Sequence, residues 1–165
     1  MLTPLLWNSQ DKESSNFKQL AKMIHCTPFL LFDGNCAEAM TFYQNCLGGA
    51  LILTKLGDTP MKAQFPLEKH DSIINAQLTS GAICFSASDW MASPDFEPNQ
   101  GNTVSIFVIG ETYDELKTVF DKLAEGAVKE KIVFVELQNM PFGIFGQLRD
   151  KYGVSWKFYG HKKEE

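Results

Sequence analysis

At 165 residues, 44% hydrophobic and 21% charged, the chain has the size and composition of one globular domain, or of two small modules sharing a core. Folding at that length buries roughly 70% of the surface an unfolded chain exposes, so no metal or disulfide staple is needed. A net charge of −5 without a basic cluster argues against a nucleic-acid partner, and no apolar run, Met1–Trp7 included, approaches a membrane span.

Residues 8–22 are polar; Phe17, Leu20 and Ala21 within them and Ile24 just beyond fall at helical spacing after Ser14 or Ser15. That predicts a short amphipathic helix ahead of the domain, with a disordered extension as the alternative. Thr27–Phe32 reads as a strand. In the helix predicted for Asn35–Leu47, the residues Cys36, Ala39, Met40, Tyr43 and Leu47 form one apolar stripe. Asn35 with Glu38 has the spacing of a capping box, and Gly48-Gly49 supplies the stop. Strands follow at Ala50–Leu56, Ser72–Thr79 and Ala82–Ala87, the last two joined by a turn at Ser80-Gly81.

The same order then returns. Thr103–Ile109 is a strand, with Thr103 and Ser105 on one face and Val104, Ile106 and Val108 on the other. Thr112 with Glu115 caps a helix over Tyr113–Glu125 whose stripe is Tyr113, Leu116, Val119, Phe120 and Leu123, and Gly126 ends it. Glu111 and Asp114 suit that helix start through its dipole. Val128–Leu137, Phe142–Leu148 and Val154–Tyr159 are the remaining strands, with Asp150-Lys151-Tyr152-Gly153 as the last hairpin turn and Gly153 at its positive-φ position. Cap-to-stop spacing is 13 residues in the first copy and 14 in the second, so a βαβββ unit occurs twice. The expected organisation is an extension over 1–26, one domain over 27–160 built from modules 27–89 and 102–160 with a connector at 90–101, and a charged tail at 161–165. Two long loops, Gly57–Asp71 and Ser88–Gly101, carry Met61, Phe65, Trp90, Met91 and Phe96 and are expected to be ordered over something.

Cys26, Cys36, Cys46 and Cys84 form no CxxC pair or metal-knuckle spacing, and each sits in or beside an apolar run. Buried, reduced thiols in a cytoplasmic protein are expected. Met1–Trp7 lacks the basic opening of a secretory signal, which agrees.

The stretch Phe32-Asp33-Gly34-Asn35-Cys36-Ala37-Glu38-Ala39-Met40-Thr41-Phe42-Tyr43, running on to Leu47-Gly48-Gly49, resembles the PhnB-like branch of the vicinal-oxygen-chelate superfamily. That superfamily includes glyoxalase I, extradiol dioxygenases and bleomycin- or fosfomycin-resistance proteins. A second anchor, Phe145-Gly146-Gln147-Leu148-Arg149-Asp150-Lys151-Tyr152-Gly153-Val154-Ser155-Trp156, is similar to that branch's closing strands. The resemblance covers residues 27–160. It implies an α+β fold in which two βαβββ modules form an open eight-stranded, barrel-like cup, the glyoxalase/bleomycin-resistance/dioxygenase fold. The helices would cover the convex faces and ligand would sit in the cup. Relatives commonly pair, so a homodimer is implied as well.

Metal-dependent members of the superfamily place His or Glu ligands on four strands of the cup. Carried onto this chain, those positions fall near Thr27 or Pro28, Cys84 or Phe85, Thr103 or Val104, and Lys157. None offers an imidazole or a carboxylate, and a cationic Lys157 opposes a metal. His25, His70 and His161 make no cluster in sequence. No metal or other cofactor is therefore expected, a divalent metal being the alternative, and no catalytic residue is assigned. If Ile74, Ala76 and Leu78 face the helix, then Asn75, Gln77 and Thr79 face the cup. The candidate ligand-binding residues are Asn75, Gln77, Ser86, Thr103, Ser105, Lys157 and Tyr159, with Lys157 suited to an anionic group on a small organic molecule. The sequence thus points first to metal-independent small-molecule binding. A metal-dependent lyase, isomerase or dioxygenase and a non-catalytic interaction protein are the alternatives. Some relatives carry a methyltransferase label, but there is no glycine-rich strand–helix loop for a nucleotide methyl donor, and that reading is set aside.

Overall fold

The computed structural model describes residues 26–91, 99 and 101–161. The helix expected near residues 14–24, His25 and most of the 90–101 connector lie outside them. Element order is β1 (Phe29–Phe32), α1 (Cys36–Leu47), β2 (Ala50–Lys55), β3 (Ile73–Ser80), β4 (Ile83–Asp89), β5 (Ile106–Gly110), α2 (Tyr113–Leu123), β6 (Val135–Met140), β7 (Gly143–Arg149) and β8 (Ser155–Gly160). The repeat is real: one sheet has the order β1-β4-β3-β2, the other β5-β8-β7-β6. In each, the strand before the helix pairs in parallel with the last strand of its unit, and the other pairings are antiparallel. The two four-stranded sheets are not closed into a barrel, as an open cup requires.

Alternation along each strand decides which face meets the helices. Ala76 and Leu78 on β3, Phe85 and Ala87 on β4, Leu148 on β7, and Trp156 and Phe158 on β8 are buried beneath α1 and α2. They merge into one core that spans both units. Its centre is aromatic: the Tyr43 ring on α1 lies 5.5 Å from Trp156 and 5.7 Å from Phe85, and edge-on contacts of this kind add to their burial. The α1 stripe holds except at its end, where Cys46 is buried and Leu47 only half-buried. Gly49 is obligatory. Its φ is +91°, and a Cβ there would lie 2.2 Å from the Thr79 carbonyl oxygen, so the chain turns into β2 against β3 only without a side chain.

Several sequence expectations need correction. Asn35 makes no side-chain cap bond; instead Asp89, at the end of β4, accepts from the Cys36 N–H at 2.8 Å and from the Ile73 N–H at 2.7 Å. Glu38 accepts a 2.8 Å bond from the Tyr152 hydroxyl rather than closing a capping box. The second box, Thr112 with Glu115, forms as expected. β5 begins at Ile106, not Thr103. Ile106 pairs with Trp156 and β8 opens at Ser155, so nothing extends far enough to pair with Thr103. β6 begins at Val135, not Val128, because the Glu130 carbonyl captures the Val133 and Phe134 N–H groups in a local turn. The turn between β3 and β4 is Gly81-Ala82, one residue later than expected. Gly153, at φ +84°, takes its predicted place in the last hairpin.

The loop after β2 is folded as three short 3-10 turns (Leu56–Asp58, Pro60–Gln64 and Leu67–Lys69). His70 faces two carbonyls, those of Lys62 and Phe65 at 3.2 and 3.3 Å, which makes its Nε2 the protonated nitrogen. Only Leu56 of this loop is buried; Met61 and Leu67 point outward, against the expectation that the loop's apolar residues cover something. Cys26 is likewise exposed, not buried, since it precedes β1 and has no strand over it.

Candidate functional site

The strand faces turned away from the helices form the concave surface. On the first sheet they present Phe29 and Leu31 of β1, Asn75, Gln77 and Thr79 of β3, and Cys84, Ser86 and Ser88 of β4. Phe29 stands opposite Ser86, and Gln77 lies beside Ser86. Asn75 and Gln77 are exposed and Ser86 half-buried, so three of the predicted residues share one face. On the second sheet that face carries Phe107 and Ile109 of β5, Phe145, Gln147 and Arg149 of β7, and Ser155, Lys157 and Tyr159 of β8. Phe107 and Gln147 flank Lys157, and Arg149 is paired with Ser155. Tyr159 stacks on Phe107 at 6.2 Å and meets the His161 ring at 5.4 Å. Lys157 and Tyr159 thus lie together, but on a different sheet from Asn75, Gln77 and Ser86.

Thr103 and Ser105 are placed differently. With the outer edge of β1 and the turn into β8, they line a cleft of about 650 Å³ between Pro28–Leu31, then Asn99, Gly101 and Thr103–Ile106, and Gly153–Ser155. Its walls are mainly Pro28, Phe29, Leu31, Val104, Ile106 and Val154, with the hydroxyls of Thr103, Ser105 and Ser155 among them. An apolar cleft with a few polar groups is the usual form of a small-molecule site.

The turn that supplies one wall is held by Asp150, which is 1% exposed. Its carboxylate accepts from the backbone N–H groups of Tyr152 (2.9 Å) and Val154 (3.0 Å) and from the Trp156 indole (2.8 Å). Burial raises its pKa above the ordinary carboxylate range, and the bonds from Trp156 and the backbone oppose that. The buried Tyr43 hydroxyl is oriented toward the same carboxylate but falls short of hydrogen-bond geometry; burial first, then that charge, raise its pKa. Tyr152 closes the joint between the units. Its ring lies 5.5 Å from Phe42 and its hydroxyl meets Glu38, and burial, then that bond, push its pKa up to about 12.

The metal that the fold family implies does not fit these residues. The positions that would supply its ligands hold Thr27 and Pro28, Cys84 and Phe85, Thr103 and Val104, and Lys157. Among the described residues no three His, Cys, Asp or Glu side chains are placed to share an ion. Of the thiols on α1, burial pushes Cys36 up to about 12 and Cys46 up to about 11, leaving both protonated near neutrality.

Sequence reasoning missed Arg149, the chain's sole arginine, which lies on the concave face. Its place was readable from the alternation with Leu148, since a buried Leu148 turns Arg149 to the other side. One guanidinium nitrogen, Nη2, reaches the Gly101 carbonyl at 3.4 Å, while Nε is buried with no hydrogen-bond partner among the described residues.

This architecture, with its open concave face and aromatic joint, defines a protein of the glyoxalase/bleomycin-resistance/dioxygenase type in its PhnB-like branch. More narrowly, the chain belongs to the family described as 3-demethylubiquinone-9 3-methyltransferase, whose model matches residues 24–159. It is 31% identical over 137 residues to Protein YjdN of Escherichia coli (strain K12), covering 79% of this chain and 90% of that one. The crystal structure of protein PA1353 from Pseudomonas aeruginosa superposes with a TM-score of 0.71 at 30% identity, covering 84% of this chain and 98% of that one. A putative 3-demethylubiquinone-9 3-methyltransferase, PhnB protein, from Bacillus cereus follows with a TM-score of 0.63 at 29% identity, over 82% and 98% of the two chains. No helix among the described residues is long and apolar enough to cross a membrane.

Proposed function

We propose that this chain binds a small organic molecule carrying an anionic group on its concave face, without a bound metal. The observation that supports the reading is the charge pattern there. On β5, β7 and β8 the concave face carries Arg149 and Lys157 and no carboxylate, in a chain whose net charge is −5. Neutral groups that donate and accept, Asn75, Gln77 and Ser86, line the other sheet and can orient a polar ligand without titrating. Cations backed by apolar walls attract an anion more strongly than the same cations in open water. Methyl transfer, named in the family's description, is not extended to this chain. Its two strand-to-helix junctions, Asp33-Gly34-Asn35 and Glu111-Thr112, are not glycine-rich loops that could cradle a nucleotide methyl donor.

A thermal-shift screen of small carboxylates, phosphates and neutral aromatics tests the reading. Anions should stabilise the protein and their neutral analogues should not, and Lys157→Ala should weaken the response. Titration of tag-free protein with nickel, manganese and zinc tests the metal-independent part, where stoichiometric tight binding would overturn it.

We further propose a homodimer. Phe29, Ile52, Phe107 and Ile109 on the concave faces are 60%, 59%, 56% and 62% exposed in the single chain, and large exposed apolar side chains gathered on one kind of face suit an association surface. Sedimentation equilibrium giving only the monomer mass at micromolar concentration would remove this part.

A further inference from the structure

We infer that Arg149 is the anchor of the ligand's charged group and that the group is a carboxylate on an apolar body. This inference rests on the anionic-ligand reading and narrows it to one residue and one chemical class. Arg149 stands at the end of β7 on the concave face, directly opposite Ser155. Both of its immediate neighbours there, Ser155 and the Gly101 carbonyl that its Nη2 touches, belong to the walls of the 650 Å³ cleft. The guanidinium, at the Gly101 carbonyl, therefore sits at the cleft margin, on a strand position paired with Ser155.

Its bonding is incomplete in a specific way. The Nη2 contact to Gly101 is 3.4 Å, near the outer limit for a hydrogen bond and readily exchanged. Nε is buried and has no acceptor among the described residues. A buried N–H donor without an acceptor is uncommon and calls for an explanation at each site. The Nε–H edge of a guanidinium holds two parallel donors, and the partner that satisfies both at once is a planar group with two coplanar oxygens. Among the described residues no carboxylate fills that role: the ion pairs there are Lys55–Asp71 and Lys117–Asp121, both elsewhere. The cleft beside it is lined by Pro28, Phe29, Leu31, Val104, Ile106 and Val154, which suits a hydrocarbon body and not a compact, fully hydrated ion. Lys157, two residues beyond Ser155 on the same face, is exposed and adds long-range attraction without a directional bond.

Because Arg149 is the sole arginine, its Nε–H gives a single arginine side-chain signal in the proton–nitrogen spectrum of the labelled full chain. Sodium benzoate is titrated at constant ionic strength, with benzamide and inorganic phosphate as parallel arms, and affinities are measured by calorimetry. Benzoate should bind and move the Nε–H signal downfield, while benzamide should leave it in place and phosphate should bind at least tenfold more weakly. Arg149→Lys, which keeps the charge and removes Nε–H, should weaken benzoate at least tenfold, with melting temperature measured alongside. Benzoate binding that leaves the Nε–H signal unmoved, or that Arg149→Lys changes less than twofold, overturns the assignment while the anionic-ligand reading stands. Phosphate binding more tightly than benzoate overturns the carboxylate class alone. No binding of either anion overturns both.

Discussion

Replacing Asp150 should be among the most damaging single changes in the last hairpin, and its cost can be built from its three donors. Two are backbone N–H groups of a half-buried turn, at Tyr152 and Val154, which water can partly serve once the carboxylate is gone. The third is the indole N–H of Trp156, a residue 1% exposed, which water cannot reach. A hydrogen bond to a charged group contributes about 1.5–3 kcal/mol, and a buried donor left unsatisfied costs about 1–3 kcal/mol. Relief from keeping a carboxylate buried offsets part of this. Asp150→Ala should therefore lose about 3 kcal/mol, a fall in melting temperature of about 6–12 °C at about 2–4 °C per kcal/mol for a chain this size. Asp150→Asn keeps one oxygen for the two backbone donors and forfeits mainly the Trp156 bond, so about 1 kcal/mol is expected. Urea unfolding followed by tryptophan fluorescence measures both. A pH series adds a signed check. Burial raises this carboxyl's folded pKa, so the folded state binds its proton more tightly than the unfolded state does. The group's contribution is then fully present below the unfolded pKa and declines as pH rises toward the folded one. Asp150→Asn should flatten that decline. An Ala variant losing under 1 kcal/mol, or Ala and Asn variants losing equally, would refute the reasoning.

Three further outcomes follow from particular contacts. Asp89→Ala should cost about 2–4 kcal/mol in urea, since it strips the acceptor from the buried N–H groups of Cys36 and Ile73, whereas Asn35→Ala should cost under about 0.5 kcal/mol. At pH 8, a thiol reagent monitored by mass spectrometry should modify Cys26 in the native protein well before Cys36 and Cys46, which burial keeps protonated; equal rates would contradict the placement. Gly49→Ala should cost about 3 kcal/mol or more, from its left-handed φ and the clash with the Thr79 carbonyl, read as a lowered urea midpoint.

What the sequence disclosed was whatever depends on local period. Alternation along β3 and β8 was enough to say that Ala76, Leu78, Trp156 and Phe158 face the helices, and burial agrees. The Thr112–Glu115 box and the Gly153 turn are likewise contained within a few residues. The N-terminal cap of α1 was illegible for the opposite reason: its acceptor, Asp89, lies 53 residues from Cys36, and the nearby Asn35–Glu38 spacing offered a plausible local substitute. Strand starts failed where pairing decides them, as at Thr103 and Val128, because an apolar run becomes a strand only where a partner reaches it. Which face the candidate residues on β3, β4 and β8 occupy was legible from alternation. Arg149 carries no local signal beyond its alternation with Leu148, and its incomplete hydrogen bonding exists only in three dimensions.

The hairpin between β7 and β8 couples the scaffold to the cleft. Gly153–Ser155 forms a wall of the cleft, Asp150 fixes the backbone of that wall, Tyr152 packs on Phe42 of α1 and bonds to Glu38, and Arg149 precedes Asp150 directly. A single turn thus joins the two βαβββ units and shapes the proposed binding site. Substitutions at Asp150 or Tyr152 will therefore move stability and ligand affinity together, and affinity lost there says nothing about direct contact. Arg149 differs in kind. Among the described residues its side chain makes one hydrogen bond, the 3.4 Å contact to the Gly101 carbonyl, so exchanging that side chain should leave the fold nearly unchanged. Ligand affinity that falls on Arg149→Lys without a matching fall in melting temperature can then be traced to the site and not to the scaffold that holds it.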